Sequence, residues 1–253
     1  TMDDVVTSIY SALDEEKTTT STRNAIHVRV VSEDIVDLND KAVACMLKKD
    51  FPTALQTLQV ALARIMSLQS QPPVPQQQQP SCSEESPIAS IPLPSGNHNN
   101  NSGIFVVFNR ALVIPHDCEF DLNCPKNRSR ALATLLYNVG LVYHLEALQR
   151  GDDNTILGHA LSYYGWAYYV VESASKEYGF QDVLLLLLAL FNNMGHIHAG
   201  RMDGDKTRQC LRWMQSTFVN SNIKRVLSQE EYRFFCQYIS MQSHRQLQLA
   251  PAA

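Results

Sequence analysis

A mainly helical fold of paired helices around a sizeable core is what this 253-residue sequence predicts, and three observations predict it. Apolar residues recur three and four apart over most of the chain, the spacing of one helix face. Helix-start signals stand at the head of those stripes: Ser32, Asp50 followed by Pro52, and Ser228-Gln229-Glu230-Glu231. Small residues, Ala42, Gly140 and Gly195, recur inside three of the stripes, where close helix packing needs them.

Composition supports a buried core: 45% of residues are hydrophobic. The formal net charge of −4 gives no electrostatic footprint for nucleic acid or an anionic membrane, so neither is an expected partner. Six scattered cysteines in a chain of this size do not read as a secreted disulfide framework and are expected as thiols. No secretory signal is legible, and the expected home is cytoplasmic or nuclear. The most apolar run, Val183 to Phe191, is far shorter than the roughly 20 residues a membrane helix needs and reads as a buried helix. Asn127-Arg128-Ser129 matches a glycosylation sequon, which has meaning only in a secreted chain.

In chain order, residues 1–31 read as a short amphipathic helix over Asp4 to Leu13, a Thr/Ser connector at Thr18 to Thr22, and an extended stretch at His27 to Val31. Ser32 caps a helix to about Lys48, and Asp50 with Pro52 starts another to about Leu68. Residues 69–103, rich in Pro, Gln, Asn and Ser, lack the apolar content to offset their ordering entropy and read as a disordered insertion. Within 104–128, Phe105 to Phe108 and Ala111 to Ile114 flank Asn109-Arg110 and suggest a small β-hairpin near 104–114, then a loop. Residues 129–253 read as further helix pairs, with the capping box at Ser228 opening a last helix that carries Tyr232, Phe235 and Ile239 on one face.

The repeat is the strongest signal. Leu38, Ala42, Cys45, Phe51, Ala54, Leu58 and Ala61 form a first copy over 32–68, with Lys49-Asp50-Phe51 as its turn. Leu136, Val139, Gly140 and Tyr143, then Ala160, Tyr164 and Ala167, form a second, with Leu148 to Thr155 as an apparent inserted loop. Phe191, Met194, Gly195 and His198, then Asp203, Thr207, Leu211 and Met214, form a third, without a small residue at Thr207. On these residues the chain resembles the tetratricopeptide (TPR)-like helical repeat superfamily over Ser32 to Phe218, insertions apart. The resemblance implies a TPR-like α-α superhelix of about three helix pairs, packed as one domain, with Ser228 to Met241 as the C-terminal capping helix.

It also implies a concave groove, lined by the first helices, that binds a partner peptide or helix. The positions so implied are Asn39, Val43 and Met46; Tyr137, Asn138, Leu141 and His144; and Asn192, Asn193, His196 and Ala199. Members that grip acidic tails use Lys and Arg; here Asn39, Val43, Ala189 and Asn193 stand in those places, so a neutral peptide or a helix with a mixed face suits better.

Other patterns carry less. His196 and His198 are two apart, which on a helix points them to different faces, and no zinc spacing accompanies Cys118 and Cys124; no metal or cofactor is expected. In the run Tyr163, Tyr164, Trp166, Tyr168 and Tyr169, packing inside is expected of Tyr164 and Tyr168. Ser81, Ser83 and Ser86 read as polar linker, though phosphate would be easily accommodated there. No phosphate loop, nucleophile elbow or paired-carboxylate motif is present, and no enzyme is expected. The leading expectation is a scaffold that binds a protein partner. A helical regulatory protein with a small ligand between Tyr137, His144, Tyr164 and His198, or a nuclear co-regulator, are its alternatives.

Overall fold

The computed structural model describes residues 21–69, 88–94, 105–116, 121–122, 124–178, 183–219 and 223–249. Helix dominates: α1 (Ser21–Leu47), α2 (Phe51–Gln69), α3 (Pro125–Gln149), α4 (Asn154–Tyr178), α5 (Leu184–Gly200), α6 (Gly204–Val219), α7 (Ile223–Val226) and α8 (Gln229–Leu249). Among the described residues the strands form one two-stranded antiparallel sheet, β1 (Ala89–Pro92) and β2 (Arg110–Val113).

From α1 through α6 each helix packs on its neighbours in sequence, the last such contact being α5 with α6, and three short turns divide these six into pairs. Those turns share a plan. Lys49, Gly151 and Met202 adopt positive φ, and the following amide reaches back five residues, Asp50 N to Cys45 O, Asp152 N to Ala147 O and Asp203 N to His198 O. An aspartate then caps the second helix: Asp50 accepts from Thr53 N at 3.2 Å, Asp153 from Thr155 N at 2.9 Å and Asp203 from Lys206 N at 3.2 Å. The first and third turns match residue for residue, while the second is one residue longer, with Asp152 as well as Gly151 at positive φ; each closes a helical hairpin.

Small residues mark the closest approaches. A Cβ on Gly140 would lie 2.7 Å from the Tyr164 ring and 3.3 Å from Ala160 O, so glycine lets α3 and α4 come together. α3 is buried nearly all round, as a central helix must be. Among the described residues it is the one helix long and apolar enough to cross a membrane, and 78% of its apolar window is buried within the protein. At Ser228 the capping box forms: Ser228 N donates to Glu231 at 2.8 Å and Glu231 N to Ser228 Oγ at 3.3 Å.

Several expectations are corrected. His27 to Val31 is helical and Ser32 lies inside α1, not at its start; a short run of valines without a strand partner leaves its backbone unpaired, and helix costs it only tenths of a kcal/mol per residue. Leu148 to Thr155 is no inserted loop, because α3 and α4 each run 25 residues and only 150–153 connect them. The hairpin within 104–114 does not form. β2 pairs with β1, Ala89 opposite Val113 and Pro92 opposite Arg110, and Asn109 continues the pairing with Leu93. β1 falls inside the stretch read as disordered, with Ile88 and Leu93 buried, while 70–87 and 95–104 lie outside the described residues. The helix expected at Asp4 to Leu13 also lies outside them, and α3 begins at Pro125, within the expected loop.

Candidate functional site

β2 rests against α1 and α3, and the residues before it reach α5, so the stretch 105–116 crosses the first helix of all three pairs. The contacts follow the small residues of the three first helices. Asp40, Asn138 and Asn193 each stand two residues before Ala42, Gly140 and Gly195 in turn. Asp40 Oδ2 meets His116 Nε2 at 2.6 Å, Asn138 holds Leu112 and Asn193 holds Phe108. Successive pairs therefore read every fourth residue, in reverse order.

Asn138 and Asn193 do this in the manner of a neighbouring strand. Asn138 Oδ1 accepts from Leu112 N at 2.9 Å while its Nδ2 donates to Leu112 O at 2.7 Å. Asn193 Oδ1 accepts from Phe108 N at 2.9 Å and its Nδ2 donates to Phe108 O at 3.3 Å. Around them, Asn39 Nδ2 donates to Leu112 O at 3.2 Å, Asn192 Nδ2 to Val106 O at 2.8 Å, and the single proton of Tyr137 Oη is shared between the carbonyls of Phe108 and Arg110, at 3.3 and 3.2 Å. One edge of the strand bonds β1; side-chain amides take the other, which answers the main-chain groups that burial would leave unpaired.

Behind the asparagines lies a second layer. Asn193 Nδ2 also reaches Tyr137 Oη and Tyr164 Oη, both at 3.3 Å, Tyr164 Oη lies 3.3 Å from His144 Nδ1, and His144 Nε2 lies 3.1 Å from His196 Nδ1. With Tyr164 accepting from Asn193, its own proton points to His144 Nδ1, leaving His144 to donate from Nε2 to His196. Burial holds every member neutral: it raises the hydroxyls of Tyr137 and Tyr164 and lowers His144, with the His196 ring adding to the last. Burial also lowers His196, against the pull of Asp152. A neutral, hydrogen-bonded layer backs the carboxamides without charge.

Apolar fit decides position along the face. A Cβ on Gly195 would sit 2.5 Å from the Phe105 ring, so this glycine makes room for the segment and not for a helix. Phe108 is packed from the other side by Phe234 and Phe235 of α8, at ring separations of 5.2 and 5.0 Å. Arg110 donates from Nε to Ser90 Oγ at 2.7 Å and pairs with Glu230 at 3.1 Å, and Ser90 donates to Glu231, tying sheet to α8.

Of the eleven positions drawn from the family resemblance, Asn39, Val43, Met46, Tyr137, Asn138, Leu141, His144, Asn192, Asn193 and His196 are buried and Ala199 is half-buried, and where an open groove was expected residues 105–114 lie across the first helices. Tyr137, His144 and Tyr164 do come together, but their own rings and Asn193 occupy the space between them; His198 faces Asp203 instead, at 3.9 Å. Among the described residues no group of three His, Cys, Asp or Glu side chains converges as a metal site. Tyr164 is fully buried, Tyr168 stacks on Trp213, and Tyr169 is exposed. Sequence reasoning missed Asp40, the role of Asn193, and the segment itself. The common offset of Asp40, Asn138 and Asn193 from the small residues was the signal available. Comparison of the chain with models of known protein families, with curated proteins and with solved structures finds no match.

Proposed function

We infer that this chain is a non-enzymatic interaction module: a TPR-like superhelix of three helix pairs, capped by α8, that works by holding a polypeptide segment across its first helices. The observation that carries this reading is the two-point grip of Asn138 on Leu112 and of Asn193 on Phe108, from equivalent places in successive pairs. Carboxamides that bond both groups of one residue recognise main chain, whatever its side chains, which is the chemistry of strand addition. The shared plan of the three turns favours a repeat architecture.

A photo-crosslinking residue tests it, placed at Val106, 44% exposed above the site, or at Val60 on α2 as a control. In native lysate a partner should crosslink through position 106 and not through position 60. Equal crosslinking at both, or none at 106 when partners co-purify, would remove the site from the proposal.

A further inference from the structure

We propose that residues 105–114 are an internal ligand, and that a partner protein's segment, with apolar residues at the spacing of Phe105, Phe108, Leu112 and Ile114, binds in their place. The inference rests on the interaction reading above and names what that face selects.

Three features support exchange. The grip is on the main chain, so a different segment following the same path finds the same bonds from Asn138 and Asn193. Connectivity permits release: residues 70 to 124 separate α2 from α3, and those two helices pack directly on each other, so the pairs stay joined when 105–114 leaves. The internal ligand also under-uses both ends of the face. Asp40 Oδ1 on α1 and Asn192 Oδ1 on α5 are buried without a hydrogen-bond partner, whereas Asn138 and Asn193 between them are satisfied. An incoming segment that donates an N–H at either end gains a bond the resident one does not make.

Burial sets the specificity. Phe105, Phe108, Leu112 and Ile114 are at most 1% exposed, so a competitor must bring comparable apolar surface at the same spacing. The first of these must be flat enough for the space over Gly195, where even a Cβ would lie 2.5 Å from the ring. The Tyr137, Tyr164, His144 and Asn193 groups behind the segment are neutral and already bonded to one another, so a charged side chain at those places is rejected.

The test uses a labelled synthetic peptide of residues 105–116 with added terminal lysines, titrated by fluorescence anisotropy onto the intact chain and onto the full chain carrying Phe105→Ala. Weakening the internal ligand frees the face, so the variant should bind at least about tenfold more tightly than the intact chain. The same peptide with Phe108→Asp should not bind. Because Phe105→Ala can disturb folding, hydrogen exchange on the intact chain gives a second reading. The Phe108 and Leu112 amides should exchange through an opening smaller than global unfolding, ahead of Val139 and Leu141 in α3.

Exchange of all four amides only by global unfolding, or equal binding by a folded Phe105→Ala chain, overturns the proposal and makes the segment permanent core. A variant that instead dimerises and excludes the peptide overturns it in favour of a second copy as occupant. In each of these cases a partner still crosslinked through position 106 leaves the interaction reading standing. Peptide exchange without any cellular partner at that position sinks the interaction reading alone.

Discussion

Replacing Asn138 by alanine removes three hydrogen bonds: from Leu112 N at 2.9 Å, to Leu112 O at 2.7 Å and to Asn39 Oδ1 at 2.9 Å. Leu112 O keeps a donor, Asn39 Nδ2 at 3.2 Å, but the Leu112 amide and Asn39 Oδ1 lose theirs. A buried polar group left unpaired costs about 1–3 kcal/mol, so two of them, less the relief of no longer burying the carboxamide, put the loss at about 2–4 kcal/mol. Urea denaturation of Asn138→Ala beside the intact chain reads this directly. With a slope of about 2–3 kcal/mol/M, the midpoint should fall by about 0.7–2 M. Hydrogen exchange supplies the local half of the test, because the Leu112 amide should lose protection in the variant while amides in α6 keep theirs. If the segment does not lie across α3, Asn138 is an ordinary polar position and its loss stays within about 0.5 kcal/mol. A shift that small, with Leu112 protection unchanged, would refute the reasoning.

Further outcomes follow from other contacts. Gly195→Ala should destabilise by about 1–3 kcal/mol through overpacking on Phe105, and a Phe105→Leu partner substitution should recover part of the loss in a double-mutant cycle. His144 and His196 are both lowered by burial, so the folded state keeps them neutral while the unfolded chain takes up protons below about pH 6.5. Stability is therefore complete above that pH and falls as pH drops, by about 1.4 kcal/mol per unit for each imidazole that stays neutral, and His144→Gln should flatten the slope in urea titrations between pH 5 and 7. Ser228→Ala should cost about 1 kcal/mol by breaking the capping box, measured by thermal unfolding. Burial pushes the Cys210 thiol up to about 12, so thiol reagents at pH 8 should modify the partly exposed Cys45 well before it.

Elements whose signal is local were legible. Asp50, the capping box at Ser228 and the apolar stripes of α2, α5 and α8 act over a few residues, and their consequences follow from spacing alone. Where two local signals competed, reading them singly failed. The valines of 27–31 favour strand only if a strand lies beside them, and the helix continuing into Ile35 to Val43 prevailed. Residues 89–92 sit in a polar, proline-rich stretch, and nothing nearby reveals that Arg110 to Val113 will pair with them.

The candidate site divides along the same line. Periodicity and small residues in the sequence marked Asn39, Tyr137, Asn138 and Asn192 as positions on the inner faces of their helices, since helical spacing decides which side chains lie together. What covers that face was decided only by the tertiary structure. Phe108 lies 85 residues from Asn193, and Leu112 lies 73 from Asn39. The offset of Asp40, Asn138 and Asn193 from the small residues marks one side of these contacts, but which stretch meets them is not written nearby, because buried backbone groups find partners wherever the chain brings them.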